Sequence, residues 1–338
     1  IKGHTYYVYG VFISHWTEPY ETSIQYINEA QAKSQELGLY HLVSSASCFI
    51  VAIRLIQGVN LEDLQQEIRR QQDEFSIHAS TLSIDFLAEM GRWMNILRSP
   101  HHPVHWACPI TIQDQPAIKI MHYSVRLQMS FLLADEIQGK AILVELKKLS
   151  KDTYTLPITT VYYFYRAMWQ FHFLHSQNCQ VQEQRLFLTD IRQSLKKFKK
   201  WAVYSSENYE HLYALLMAEN YRLHNNDNEA ELYYDRAIRL ASMNGFVQDT
   251  ALAYERAANY YLAKQQKKTA RHYILNGIQS IETWGAETVA SRWAREYQVH
   301  RKLENHSRES LTFDMMTVFE TTQSFATAIR MEDLLHKI

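Results

Sequence analysis

The segment from Asn226 to Arg295 contains one unit twice. Gly245 and Gly285 stand forty residues apart, and ahead of each, at the same offsets, come Ala230 and Ala270, Tyr233 and Tyr273, Ala237 and Gly277, Ile238 and Ile278. A repeat of this length is one supersecondary unit that cannot bury its own apolar face, so it folds only by stacking on a neighbour. Small residues let adjacent helices approach, the tyrosine fills the gap beside them, and a glycine at the C′ position takes the left-handed conformation that closes the helix. A fainter third copy lies near the start, where Tyr26, Ala30 and Gly38 have the spacing of Tyr233, Ala237 and Gly245.

An alanine, a tyrosine four residues ahead of a small residue and a closing glycine outline the second helix of a tetratricopeptide-like hairpin. The expected fold is therefore all-α: a TPR-like α-solenoid of stacked antiparallel helix hairpins with a C-terminal linker helix. Only 9 Gly and 6 Pro occur in 338 residues, and the 46% hydrophobic content is ample for a core, which favours long helices with short connections. Apolar periodicity predicts helices from Thr17, as N-cap, to Gly38, and then over 40–57, 61–75, 80–97, 118–138, 141–151, 157–174, 181–204 and 207–223. The expected organisation is a repeat domain over 1–298, interrupted near 99–117 by a loop rich in His and Pro; a polar junction over 299–310; and a signalling or dimerisation helix over 311–338.

A formal net charge of -1 argues against a nucleic-acid partner, because phosphate binding draws on a basic excess. Cys48, Cys108 and Cys179 are odd in number and widely spaced, which suggests neither a disulfide framework nor a C-x-x-C site and fits a cytoplasmic location. The most apolar run, Cys48 to Ile53, stops at Arg54, short of the ~20 residues of a membrane span. The first residue is Ile1 rather than Met, and the chain is expected to belong to a longer polypeptide.

A more specific likeness rests on Glu229-Ala-Glu-Leu-Tyr-Tyr-Asp-Arg-Ala-Ile-Arg-Leu-Ala-Ser-Met-Asn-Gly245, followed by Asp249-Thr-Ala-Leu-Ala-Tyr-Glu-Arg-Ala-Ala-Asn-Tyr-Tyr-Leu-Ala263 and Thr283-Trp-Gly-Ala286. These phrases, with Tyr162-Tyr-Phe-Tyr165 and Lys199-Lys-Trp-Ala202, resemble the helical-repeat region of large bacterial signalling proteins. In those proteins a predicted AAA-type ATPase module precedes the repeats, a GAF domain with a histidine kinase follows them, and some members carry an N-terminal serine/threonine kinase domain. Thr312 to Ile338 is similar to the helix leading into the GAF domain. The likeness is strongest from Tyr162 to Trp293. It implies architecture and setting only, since the chain contains neither a G-x-x-x-x-G-K-[ST] phosphate loop nor a kinase catalytic-loop signature.

Few residues offer chemistry. His101, His102, His105 and Cys108 are the weak metal candidates, with ligand types suited to Zn²⁺; Pro103 between them blocks a regular helix, and the expectation is no metal and no cofactor. Lys196, Lys197, Lys199 and Lys200 flank an apolar stripe of Ile191, Leu195, Phe198 and Ala202 and read as the wet face of an amphipathic helix. Asp190, Glu219 and Glu255 read as solvated or ion-paired carboxylates. In the last segment Leu311, Met315, Val318, Phe319, Phe325 and Ile329 form one apolar stripe that must be covered, and pairing with a second copy is the expectation.

The function these features imply is a non-catalytic scaffold in signal transduction, whose concave wall of hairpins binds a peptide, protein or effector, or docks on the neighbouring ATPase and GAF or kinase modules. Two alternatives stand beside it: an enzyme with a pocket in the N-terminal third, and a dimerisation device acting through the terminal helix.

Overall fold

A computed structural model describes residues 2–75, 80–102, 104, 106, 116–149, 156–176 and 179–299. Residues 300–338 cluster as a separate unit outside the described residues, and with them lie the terminal stripe from Leu311 to Ile329 and the junction before it. Among the described residues there are 14 α-helices and no strand. The fold is a stack of antiparallel helix hairpins, as the repeat spacing requires.

The first row of hairpins comprises α1 (Lys2–Phe12), α2 (Tyr20–Glu36), α3 (Tyr40–Gln57), α4 (Leu61–Phe75) and α5 (Thr81–Arg98), with a 3₁₀ turn at Ser14–Trp16 between the first two. The chain then passes through α6 (Pro116–Leu132), α7 (Glu136–Leu149), α8 (Ile158–His175) and α9 (Val181–Tyr204). The second row is α10 (Ser206–Leu223), α11 (Asp227–Met243), α12 (Val247–Ala263), α13 (Lys267–Trp284) and α14 (Glu287–Glu296). Its hairpins α10–α11 and α12–α13 are the two sequence repeats. Gly38, Gly245 and Gly285 take left-handed φ of 70°, 79° and 94° at the ends of α2, α11 and α13. Gly277 is small for a different reason: a Cβ there would lie 3.2 Å from the Cβ of Tyr254 and 3.3 Å from the carbonyl of Ala251, so α12 and α13 cross at backbone contact.

Two boundaries differ from the periodicity. Thr17 does not cap α2; its N–H and that of Glu18 bond to the Ser14 carbonyl, which closes the 3₁₀ turn, and Pro19 with φ -57° leads into the helix. The break expected at 139–140, between helices over 118–138 and 141–151, falls instead at 133–135, between α6 and α7. Ala134 adopts φ 56° after α6, and Asp135 accepts the Gln138 N–H at 3.0 Å, capping α7. Helix α3 is long and apolar enough to cross a membrane by length and composition, yet 61% of it is buried in the fold.

The second row runs alongside the first, joined by a side-chain-to-carbonyl contact that recurs with the repeat. Asn208, Gln248 and Thr288 occupy the same position near the start of α10, α12 and α14, forty residues apart. Asn208 Nδ2 donates to the carbonyls of His15 (3.0 Å) and Glu18 (2.8 Å), Gln248 Nε2 to Ile56 (2.6 Å), and Thr288 Oγ1 to Ile96 (2.6 Å). The acceptors at Ile56 and Ile96 are carbonyls in the last turns of α3 and α5, which have no partner within their own helix. Helix C-termini of one row thus meet helix N-termini of the other, the orientation that macrodipoles favour.

Helix α8 fills the space between. Every residue from Ile158 to Phe171 is buried, and Phe173 as well, the burial expected of a helix that is apolar all round. It packs on α3, α6, α9 and α10: Trp169 lies edge-on to Phe131 at 5.1 Å, Phe164 to Phe198 at 6.1 Å, and Ser194 Oγ donates to the Tyr163 carbonyl at 3.0 Å. Arg166, the one cation in its core stretch, donates to Gln193, Ser194 and the Asp190 carbonyl, so its charge is spent on α9. On the inner side of the second row, where an open concave wall was expected, α8 packs directly on α10 and shares a cavity lining with α12 and α14.

His15, fully buried beside Trp16 and Tyr20, sits where the two rows begin. Burial lowers its pKa from 6.5 to about 3, so it is neutral in the fold while the unfolded chain takes up a proton below about pH 6.5. Its contribution to stability is complete above that pH and is lost as pH falls towards 3. Between about pH 7.5 and 5.5 the unfolding free energy should drop by about 1 kcal/mol on this account, and His15→Phe should remove that part of the slope in urea titrations. Asn208→Ala, which removes the side-chain partner of the Glu18 carbonyl and of the buried Tyr20 N–H while the His15 carbonyl keeps the Tyr209 hydroxyl at 3.0 Å, should cost about 1–3 kcal/mol in the same assay, at unchanged slope on denaturant.

Candidate functional site

Further along α10, α12 and α14 than the carbonyl contacts, charged side chains gather beside α8. Glu219 of α10 is completely buried. Its Oε1 accepts from Arg256 Nε at 2.9 Å and from the Tyr234 hydroxyl at 2.9 Å, while Oε2 lies 3.1 Å from His175 Nε2 and 3.8 Å from an Arg222 nitrogen. Burial alone would raise its pKa; Arg256, His175 and Arg222 outweigh burial and hold the carboxyl well below the ordinary range. Arg256 shows the mirror effect, burial favouring its neutral form and Glu219 with Glu255 prevailing to keep the cation. Glu255 accepts the Tyr297 hydroxyl at 2.6 Å. Arg222 Nη2 donates to Asn259 Oδ1 at 2.9 Å, and Asn259 is the forty-residue counterpart of Glu219. The inner positions of successive repeats are therefore tied by charge as well as by packing.

Beside this network lies a cavity of about 90 Å³, lined by Phe131, Ala134 and Glu136, by Trp169 and His172 of α8, by Glu255, Arg256 and Asn259, and by Arg292 and Glu296 of α14. Trp169 is held in place by a hydrogen bond to Ser130 Oγ at 3.2 Å and by Gly139 of α7, where a Cβ would come within 2.6 Å of the indole. His172 Nε2 is 2.7 Å from Glu136 Oε1. Arg292 Nε donates to the Leu132 carbonyl at 3.2 Å and the guanidinium pairs with Glu296, whose pKa is raised, chiefly by burial. Ala134, with its left-handed φ, turns the chain at the rim. The volume leaves room for a few waters. Glu219, with both oxygens engaged by donors and its charge stabilised, is set to hold cations in place and is a poor base; what the cavity can do is bind water or a small polar group among paired charges.

The residues singled out from sequence distribute as follows. Ala30, Ala230, Ala237 and Ala270 are buried. Tyr26 packs against Tyr9 at 4.9 Å, Tyr233 against Tyr221 at 5.2 Å, and Tyr273 against Tyr261 at 5.1 Å. His101 is exposed and His102 half-buried beyond the end of α5; His105 and Cys108 lie outside the described residues. Among the described residues no group of three or more His, Cys, Asp or Glu side chains is placed to hold a metal ion. Lys197 is half-buried over the rings of Tyr163 and Trp201, at 4.6 and 5.7 Å, while Lys196, Lys199 and Lys200 are exposed. Of the three carboxylates, Glu219 and Glu255 are buried and ion-paired, which removes the solvated alternative for both.

Trp169 and Arg256 went unnoticed in the sequence. A charge inside the alanine-rich run Thr250–Ala263, almost one repeat on from Glu219, is the signal that could have found Arg256; no comparable signal marks Trp169. No protein-family model, no curated protein and no solved structure matches this chain. Fold and site define its class by themselves: an all-α helical-repeat protein with a charged interior. Glu219→Gln should leave Arg256 under-compensated in the core and cost about 3–5 kcal/mol, whereas Glu296→Gln at the rim should change stability by less than about 1 kcal/mol; thermal and urea unfolding of both variants checks the contrast.

Proposed function

We propose that the chain is a non-catalytic scaffold, the regulatory helical-repeat domain of a cytoplasmic bacterial signal-transduction protein, which couples a nucleotide-switching ATPase module before it to a GAF and histidine-kinase module after it. The resemblance of Tyr162 to Trp293 to the repeat region of such proteins supplies the setting. The observation that carries the coupling role is the continuous tie between rows: Asn208, Gln248 and Thr288 join three successive levels of the stack to backbone carbonyls, so a displacement at one end is passed on rather than absorbed. Because α8 packs on the inner side of the second row, a protein or peptide partner meets the outer helices α11 and α13, where Leu232, Met243 and Leu275 are exposed.

The reading frame around the chain tests the setting, with a G-x-x-x-x-G-K-[ST] loop expected upstream and GAF and kinase motifs downstream. In the intact protein, Asn208→Ala should change kinase autophosphorylation while leaving nucleotide affinity of the ATPase module intact. A frame encoding neither module would overturn the setting. A substrate turned over by the chain alone, with activity lost in His101→Ala or His105→Ala, would replace the scaffold by an enzyme.

A further inference from the structure

Two exposed helix faces carry charge of a single sign, and they meet at one corner. On α9, Arg185, Arg192, Lys196, Lys199 and Lys200 are all exposed; at about 100° per residue they fall within an arc of about 100°. The acids of α9 lie elsewhere, Glu183 at the Gln180 N–H and Asp190 towards Gln170 and Arg166. On α2, Glu21, Glu29 and Glu36 are exposed within an arc of about 80°, and the one cation of that helix, Lys33, is turned towards Gly3 of α1. None of these eight side chains has an ion-pair partner among the described residues. Both rows span sixteen residues, roughly 22 Å of helix over fifteen steps. The end of α9 and the turn before α2 meet where Trp16 packs at a tilt against Trp201, ring centroids 5.1 Å apart, and Val203 (77% exposed) and Tyr204 (60%) lie beside Trp201 in the chain.

We propose that this corner docks a second copy of the chain. The cationic and acidic rows each have one end at this corner and match in length. A two-fold axis through the corner sets each α9 row against the partner's α2 row, with Val203 and Tyr204 near the axis. A two-fold contact uses the same patch on both molecules and must be self-complementary, and an apolar centre within a charged rim is the usual anatomy of such a patch. With a net charge of -1 on the whole chain, no general repulsion opposes the approach.

Sedimentation velocity on the full 338-residue chain tests this. A dimer is expected at about 50 mM salt, weakened at least about tenfold at about 500 mM as screening shortens the range of the pairs. Lys196→Glu with Lys200→Glu should give a monomer, and so should Glu29→Lys with Glu36→Lys. An equimolar mixture of the two variants should recover a heterodimer, because each reversed row then faces its opposite; unchanged circular dichroism shows that both still fold. A monomer under all conditions overturns the proposal. So does a dimer that survives both reversals and is lost in Phe319→Asp with Phe325→Asp, which would assign self-association to the terminal helix. Binding of the unmodified chain to anionic vesicles or to an oligonucleotide, abolished by the lysine reversals while the mixture stays monomeric, would reassign the α9 face to a polyanion.

Discussion

Helix α8 has no face turned to water, and the arrangement of everything else follows from covering it. A helix whose residues are apolar on all sides gains nothing from lying on a surface, so four other helices must close around it, and they come from both halves of the chain. The one charge in its buried stretch, Arg166, is answered by polar groups of α9. The polar groups at its end, His172 and His175, are answered by Glu136 and Glu219. The cost of withdrawing those groups from water is offset because each finds its partner on a different neighbouring helix, which fixes how those helices sit around the core.

The contacts between rows work on the same logic at the backbone level. A helix C-terminus leaves carbonyls that need donors, and a helix N-terminus brings positive potential and polar capping residues. By setting the ends of α3 and α5 against the starts of α12 and α14, the fold meets two needs with one contact. Gln248 and Thr288 supply side-chain donors of different length and chemistry to equivalent acceptors, so the position in the repeat is retained while the residue varies.

The hairpin architecture was legible because its determinants are local. Gly245 and Gly285 close helices by a conformation that only glycine adopts cheaply, Ala237 and Gly277 mark crossings, and the forty-residue spacing fixes the unit. The core helix was legible as a helix from Pro157 to Leu174, but not as the centre, because apolar residues on nearly every face do not say what surrounds them. The charged interior was hidden for a related reason. Glu219 and Arg256 are separated by almost one repeat, and a carboxylate in mid-helix looks the same in sequence whether it faces solvent or a guanidinium. The break at Ala134 was placed some five residues late because Asp135 acts as a cap only when the chain turns, and the apolar pattern continues through it.

Open repeat arrays change length readily, since each unit touches only the next one and a duplication adds a unit at either end. Here each level of one row is answered by a level of the other, at His15, Ile56 and Ile96 on one side and Asn208, Gln248 and Thr288 on the other. Adding or deleting a single hairpin in either row would shift every later contact out of step and leave α8 longer or shorter than its sheath. A change in the number of hairpins in one row therefore calls for a matching change in the other, a coupling that an open array does not have.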